Sequence, residues 1–325
     1  MIRTAFTELV GVDHPVVCGG MAAGTSNGEM TGQVSDAGGL GVIGASSLSA
    51  DDIASHVARA REITSKPFGI NLLLFTAEDM LDAVLELQPA VLSTAWPRDD
   101  QDLATIFARA HDAGAKVMHM VPTLDDAKRA AEAGADVVVA QGTDGGGHIG
   151  EMGTTVLVRQ AVEAIAPVPV LAAGGLADGA GLASALALGA DGILLGTRFL
   201  ASDECRIPTW LKQEIVASDG HDTIRTTVPD TMTGQDWPGA WGRVLRTRLV
   251  EEWLGREPEL RRRRQEVLTE AYDAMGKDDA PDRWYFYVGQ SAGLIDSIEP
   301  AGEIVRRIVG DAEEVLRARL PELLA

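Results

Sequence analysis

The first two hundred residues alternate between two hydrophobic patterns. Short apolar runs recur at PVVCGG (15–20), LGVIGA (40–45), FGINLLL (68–74), AVLSTA (90–95), KVMHMV (116–121), DVVVAQG (136–142), PVLAAGG (169–175) and DGILLGT (191–197). Each run is continuous rather than alternating, as a strand buried on both faces must be. Between the runs, apolar residues fall at helical spacing. Ser49 with Asp52, ahead of Ile53, Val57 and Ile63, makes a capping box that starts one helix, and Thr123 with Asp126 starts another. A refrain closes several helices: AGAK (113–116), AGAD (133–136) and LGAD (188–191). Its glycine caps the helix, and the next strand begins at once. Eight strands, each followed by a helix, predict an α/β fold, a (β/α)8 TIM barrel over residues 1–205. A doubly wound open sheet is the alternative.

The alternation stops after Cys205. Residues 206–287 hold Trp237, Trp241, Trp253 and Trp284 and a charged helical stretch, REPELRRRRQEVLTEAYDAM (256–275). This segment reads as a mostly helical lid over the barrel mouth. Residues 288–325 include AGEIVRRIVGDAEEVLRARL (301–320), whose helical spacing predicts a return onto the barrel.

Two short motifs mislead. GLGVIG (39–44) matches a dinucleotide fingerprint, but its glycines lie inside a strand instead of between a strand and a helix. GQSAG (289–293) matches a nucleophile elbow, but no histidine follows His221, and that chemistry needs one after the serine. Gln290 and Ser291 are then either a polar turn that closes over a ligand or an ordinary surface turn.

Composition narrows the function classes. With 48 acidic and 28 basic residues the formal charge is −20, which repels nucleic acid and anionic lipid. The basic run Arg261–Arg264 is flanked by Glu257, Glu259 and Glu266 and reads as a solvated helix face. No apolar run approaches the roughly 20 residues that span a bilayer, and the N-terminus lacks a signal peptide's apolar segment. The expectation is a cytoplasmic protein without membrane partners. Cys18 and Cys205 read as reduced thiols. No histidine pair has metal-ligand spacing, so no metal is expected.

The candidate chemistry sits at the C-terminal strand ends, where barrels keep their sites. GGLADG (174–179) follows strand seven and GTRF (196–199) follows strand eight. Glycines there let backbone N–H groups approach an anion, which points to a phosphate site. Strand six delivers GTDGGGHIG to the same rim. Its glycines suit a flat cofactor lying on backbone and leave His148 standing exposed, within reach of a substrate as a base. His119 on strand five is a weaker candidate that could point into the barrel. His14 reads as structural, and His56 and His111 lie on outer helices.

These motifs resemble the nitronate monooxygenase family, also called 2-nitropropane dioxygenases. The resemblance rests on AQGTDGGGHIG, on the stretch 172–202, and on CGGMAAGTSNGEM (18–30), SDAGGLGVIGA (35–45), KPFGINLLL (66–74) and VGQSAGLI (288–295). It implies a TIM barrel with noncovalent FMN and a lid. It implies that Gly20, Met21 and Ala22 line the flavin ring and that Asn71 and Gln141 hydrogen-bond the flavin. It places Gly146 against the ring and the phosphate on Gly174, Gly175, Gly196 and Thr197. His148 takes the position of the family's base. Some relatives, including quinone reductases, have lysine where this chain has Met120.

The implied activity is oxidation of a nitronate, or of a nitroalkane deprotonated by His148, with O2, giving a carbonyl compound and nitrite. The alternative is an NAD(P)H-dependent reductase of quinones or enoyl thioesters on the same fold. Flavin-type enoyl-acyl carrier protein reductases share the GGHIG signature followed by glutamate, here Glu151. A noncatalytic flavin-binding module is a third reading. Expected partners are a small-molecule substrate and O2; a homodimer is compatible with the sequence.

Overall fold

The computed structural model describes residues 2–275 and 281–323. Eight parallel strands close into a barrel: β1 (Val16–Cys18), β2 (Leu40–Gly44), β3 (Gly69–Leu73), β4 (Val91–Ala95), β5 (Lys116–Val121), β6 (Val137–Gln141), β8 (Val170–Ala173) and β9 (Gly192–Leu195). β7 (Gly147–Ile149) lies in the connection from β6 to β8. All eight barrel strands fall within the apolar runs, and the open-sheet alternative is excluded by closure of β9 on β1, with Val17 opposite Leu194.

Both faces of the strands are apolar because both are buried. Val17, Leu40, Val42, Val91, Met118, Val137, Val139, Leu171 and Leu194 form an interior cluster. Their neighbours, such as Ile43, Ile70, Leu92, Val117, Val138 and Ile193, pack outward on the helices. Fully burying one such side chain contributes about 1.5–3 kcal/mol. Phe6, from the helix Ala5–Val10, joins the interior cluster. The expected caps are present: Ser49 and Thr123 hydroxyls accept the N–H groups of Asp52 and Asp126. The refrain glycines Gly114, Gly134 and Gly189 have φ of 82°, 99° and 92°, the left-handed region that ends a helix without steric cost to glycine.

β9 is followed only by the short turn of helix Thr197–Leu200. The long helix that takes the eighth place in the outer ring is Ala301–Glu314, packed between helices Gly28–Asp36 and Gly179–Ala187. The segment between is therefore an insertion between β9 and this helix. It contains helices Thr209–Ala217, Val228–Thr233, Arg248–Trp253 and Glu257–Met275. Its own core gathers Val228, Met232, Leu249, Trp253, Leu260 and Val267.

The segment also holds strands that hydrophobic periodicity did not predict. β10 (Thr223–Thr226) and β11 (Trp241–Leu245) form an antiparallel sheet with β7. β11 pairs Gly242 with His148 and Arg243 with Gly147. The inserted segment is thus joined by backbone hydrogen bonds to the glycine-rich loop that carries the candidate histidine. Among the described residues, no helix is long and apolar enough to cross a membrane, and no cluster of His, Cys, Asp or Glu could hold a metal ion.

Candidate active site

His148 sits in the middle of β7. It is 8% exposed, not the open imidazole that its glycine neighbours suggested. Its Nε2–H donates to Asp230 Oδ1 at 2.8 Å. Asp230, itself buried, comes from the lid helix Val228–Thr233. A carboxylate can only accept, so Nε2 is the ring nitrogen that donates here, and Nδ1 is the one turned away from the pair. Nδ1 has no protein partner among the described residues.

Aromatic rings enclose the imidazole. Trp237 stacks on it with centroids 3.3 Å apart and planes 9° from parallel. Phe75 and Trp96 in turn pack against Trp237, with ring centroids 4.5 and 6.1 Å away. The Tyr287 ring lies 5.0 Å from His148, with its hydroxyl 3.5 Å from Nε2. Burial, and then the charges of Asp230 and Tyr285, hold the Tyr287 phenol well above its ordinary range. The same burial, with Asp230 adding, pushes Tyr285 to about 12.

Arg243 locks the loop below. Its Nε–H donates to the Thr143 carbonyl at 2.9 Å, and its Nη1 to Thr223 Oγ1 at 3.3 Å. Burial lowers the guanidinium's pKa, and the charge of Asp144 opposes that shift. The loop is also pressed from the other side. A Cβ on Gly146 would lie 2.5 Å from the Gly289 nitrogen, so the backbone crossing with the VGQSAG turn is itself a reason for glycine there.

The residues proposed to hold a cofactor line the same barrel mouth. A Cβ on Gly20 would fall 2.2 Å from Asn71 Cβ, so the chain leaving β1 passes directly over Asn71 of β3. Asn71 Nδ2 donates to the Ser93 carbonyl and hydroxyl at 3.3 and 3.1 Å. Gln141 Oε1 is buried with no hydrogen-bond partner. Ala22 is exposed, and a Cβ on Gly196 would come within 3.9 Å of Met21 Sδ. Gly174 and Gly175 have φ of 99° and 72°. They line a cavity of about 380 Å³ together with Asp144, Thr154, Gln290 and Leu294. Gln290 is exposed at this cavity, and Ser291 is buried in the turn that follows. Thr197 Oγ1 accepts the Gly289 N–H at 3.0 Å.

FMN fits this donor set. An orphaned buried amide oxygen at Gln141 calls for a hydrogen-bond donor, which a flavin ring or ribityl chain offers. At Gly196, ahead of helix Thr197–Leu200, a Cβ would make only an ordinary contact with Met21 Sδ at 3.9 Å, so the backbone there is not crowded.

His119 turns out to face away from the barrel interior. Its Nδ1 meets Thr94 Oγ1 at 2.7 Å, and its ring lies 5.4 Å from Phe107 on the outer helix Leu103–Asp112. Complete burial holds it down to about 3. Met120, its neighbour, packs instead on the interior cluster.

Sequence reasoning missed Asp230, Trp237, Tyr287 and Asp144. Asp144 Oδ2 accepts from Thr154 N and Oγ1 at 3.2 and 2.7 Å, tying the loop to the start of helix Thr154–Ala164. The available signal for Asp230 was a lone acid inside the apolar run VPDTM.

The nitronate monooxygenase family model matches residues 3–96 and 76–311. A (3aS,4S,5R,7aS)-5-hydroxy-7a-methyl-1-oxo-octahydro-1H-indene-4-carboxyl-CoA dehydrogenase of Mycobacterium tuberculosis is 35% identical over 255 residues, covering 77% of this chain and 68% of that protein. The structure of FabK from Thermotoga maritima superposes with a TM-score of 0.86 at 34% identity, covering 99% of this chain and 100% of that one. Nitroalkane oxidase from Streptomyces ansochromogenes superposes with a TM-score of 0.79 at 27% identity, covering 97% and 100%. The chain therefore belongs to the nitronate monooxygenase family, flavin-dependent oxidoreductases built on a TIM barrel.

Proposed function

We propose that the enzyme binds FMN at the barrel mouth and oxidises alkyl nitronates, and nitroalkanes deprotonated by His148, with O2 to a carbonyl compound and nitrite. The observation that carries this reading is the buried His148–Asp230 pair, which leaves Nδ1 as a base at the rim. A nitroalkane must lose the proton on the carbon beside its nitro group before that carbon can give up electrons. His148 Nδ1 takes the proton. Asp230 keeps the imidazole oriented and stabilises the imidazolium that forms. Such a positioned base contributes roughly 10²–10⁴-fold to rate. Trp237 and Phe75 exclude water from the imidazole face, which strengthens every charge interaction inside. Gly174, Gly175, Gly196 and Thr197 would hold the FMN phosphate, Gln141 would accept from the flavin, and Gly20, Met21, Ala22 and Asn71 would line its ring. The chemistry that bound FMN supplies is acceptance of electrons from the substrate carbon and their delivery to O2.

A second reading, oxidation or reduction of an acyl thioester, draws support from the 35% identical carboxyl-CoA dehydrogenase. There the same base would act on a carbon beside a thioester carbonyl. Anaerobic mixing separates the two. Ethyl nitronate should bleach the flavin of the purified yellow protein, and denaturation should release FMN. Bleaching by NADH or an acyl-CoA but not by ethyl nitronate or nitroethane would replace the first reading by the second. A protein that stays colourless after incubation with FMN would end both.

A further inference from the structure

The Tyr287 hydroxyl lies 3.5 Å from His148 Nε2. That nitrogen offers it no acceptor, because its proton already points to Asp230 at 2.8 Å. Asp230 is not its partner either: among the described residues, the Asp230 carboxylate accepts from His148 alone. Among the described residues the phenol therefore has no acceptor for its proton, and it is held against the imidazole proposed as the base.

Its position is built rather than incidental. Tyr287 forms a β-bridge with Val244 of β11. Its ring packs over Gly242, where a Cβ would lie 3.2 Å from Tyr287 Cε1. Gly242 is also the strand partner of His148. Tyr285 meets the ring edge-on at 5.4 Å. The glycine that pairs with the base thus also makes room for the phenol.

We infer that Tyr287 is a catalytic residue: its hydroxyl donates the hydrogen bond that receives the substrate oxygen on which negative charge builds as His148 removes the proton. For a nitroalkane this is a nitro oxygen, and for a thioester it would be the carbonyl oxygen. The tyrosine keeps its own proton throughout. The phenol's raised pKa leaves it a donor across neutral pH. The assignment rests on the reading of His148 as a base beside an oxygen-bearing carbon acid. It explains why an aromatic residue with a polar tip, rather than phenylalanine, is turned toward the imidazole.

Tyr287→Phe keeps the ring and removes the donor. The flavin-loaded wild type and variant are compared in turnover of ethyl nitronate and nitroethane, and in binding of propanoate by calorimetry. Propanoate presents a two-oxygen anionic head with no nitro group to react. Losing one such donor is expected to lower kcat/KM by roughly 10²-fold. The Kd for propanoate should rise by about tenfold, since a hydrogen bond to a charged group is lost, while the melting temperature stays the same. Unchanged kcat/KM, or propanoate binding that is equal in both proteins or absent from both, overturns the assignment. A wild type that ignores nitronates while showing the propanoate difference overturns the nitronate reading and leaves Tyr287 as the oxygen donor for another carbon acid.

Discussion

His148 Nε2 and Asp230 Oδ1 stand 2.8 Å apart although they lie 82 positions apart in the chain. One belongs to a loop of the barrel and the other to the inserted lid. The proposed base therefore finds its partner carboxylate only when the inserted segment is packed on the barrel, and the antiparallel pairing of β7 with β11 is what brings the two together.

Replacing His148 by Asn should separate the two nitro substrates. Turnover of neutral nitroethane should fall about 10²–10⁴-fold, or roughly 3–5 kcal/mol of barrier. Preformed ethyl nitronate has already lost its proton and should be affected much less. Equal losses on both substrates, with the flavin still bound, would make His148 a binding group instead of a base.

Asp230→Asn tests the tautomer. An amide can donate to Nε2 and drive the imidazole proton onto Nδ1, which removes the lone pair. Loss of the orienting carboxylate in a comparable triad costs up to about 10⁴-fold. Nitroethane turnover should therefore drop nearly as far as in His148→Asn, with the nitronate spared. Steady-state kinetics on both substrates decide it, and wild-type rates on nitroethane would remove Asp230 from the mechanism.

The crossing of Gly146 with Gly289 leaves no space for a methyl group, since the nearest backbone nitrogen would be 2.5 Å from it. Gly146→Ala should destabilise the fold by about 1–3 kcal/mol through overpacking. It should also shift the loop that carries His148. Urea unfolding and flavin retention are the measurements; full stability with full retention would show that the crossing relaxes freely.

His119 predicts an acid dependence. Burial holds its folded-state pKa at about 3, whereas an unfolded histidine titrates near about 6.5. The folded state resists a proton that the unfolded state accepts. Its contribution is therefore complete above roughly pH 6.5 and is lost progressively as pH falls toward about 3. His119→Gln should flatten the decline of unfolding free energy across that window. Urea titrations at several pH values would show an unchanged slope if the histidine were not responsible.

The barrel was legible because its signals are local and redundant. β2, β5 and β9 are continuous apolar runs because helices cover one face and the barrel interior the other. The glycine refrain marks where each helix stops. His148 was legible as a candidate from its glycine neighbours, but its surroundings were not. Burial of His148 depends on Trp237 and Asp230, which lie in a segment with no sustained period. Strands as short as GHI and TIRT carry too few residues for alternation to register, so the sheet that joins lid and loop could not be read. His119 misled for a related reason: a strand apolar on both sides gives no indication of which side faces inward.

Helix Ala301–Glu314 closes the outer ring, yet it is encoded after the whole lid. During synthesis the eight barrel strands and the lid all emerge before the ring can be sealed. Until then helix Gly28–Asp36 has lost the neighbour that packs beside it, where Gly302 comes to rest near Gln33 and Ala37. Contacts of such long range form late and leave apolar surface open meanwhile. Sealing of the outer ring therefore waits for residues that follow the inserted segment in the chain. A chain ended at Pro300 is expected to be cut within its first helices by a protease that spares the complete protein.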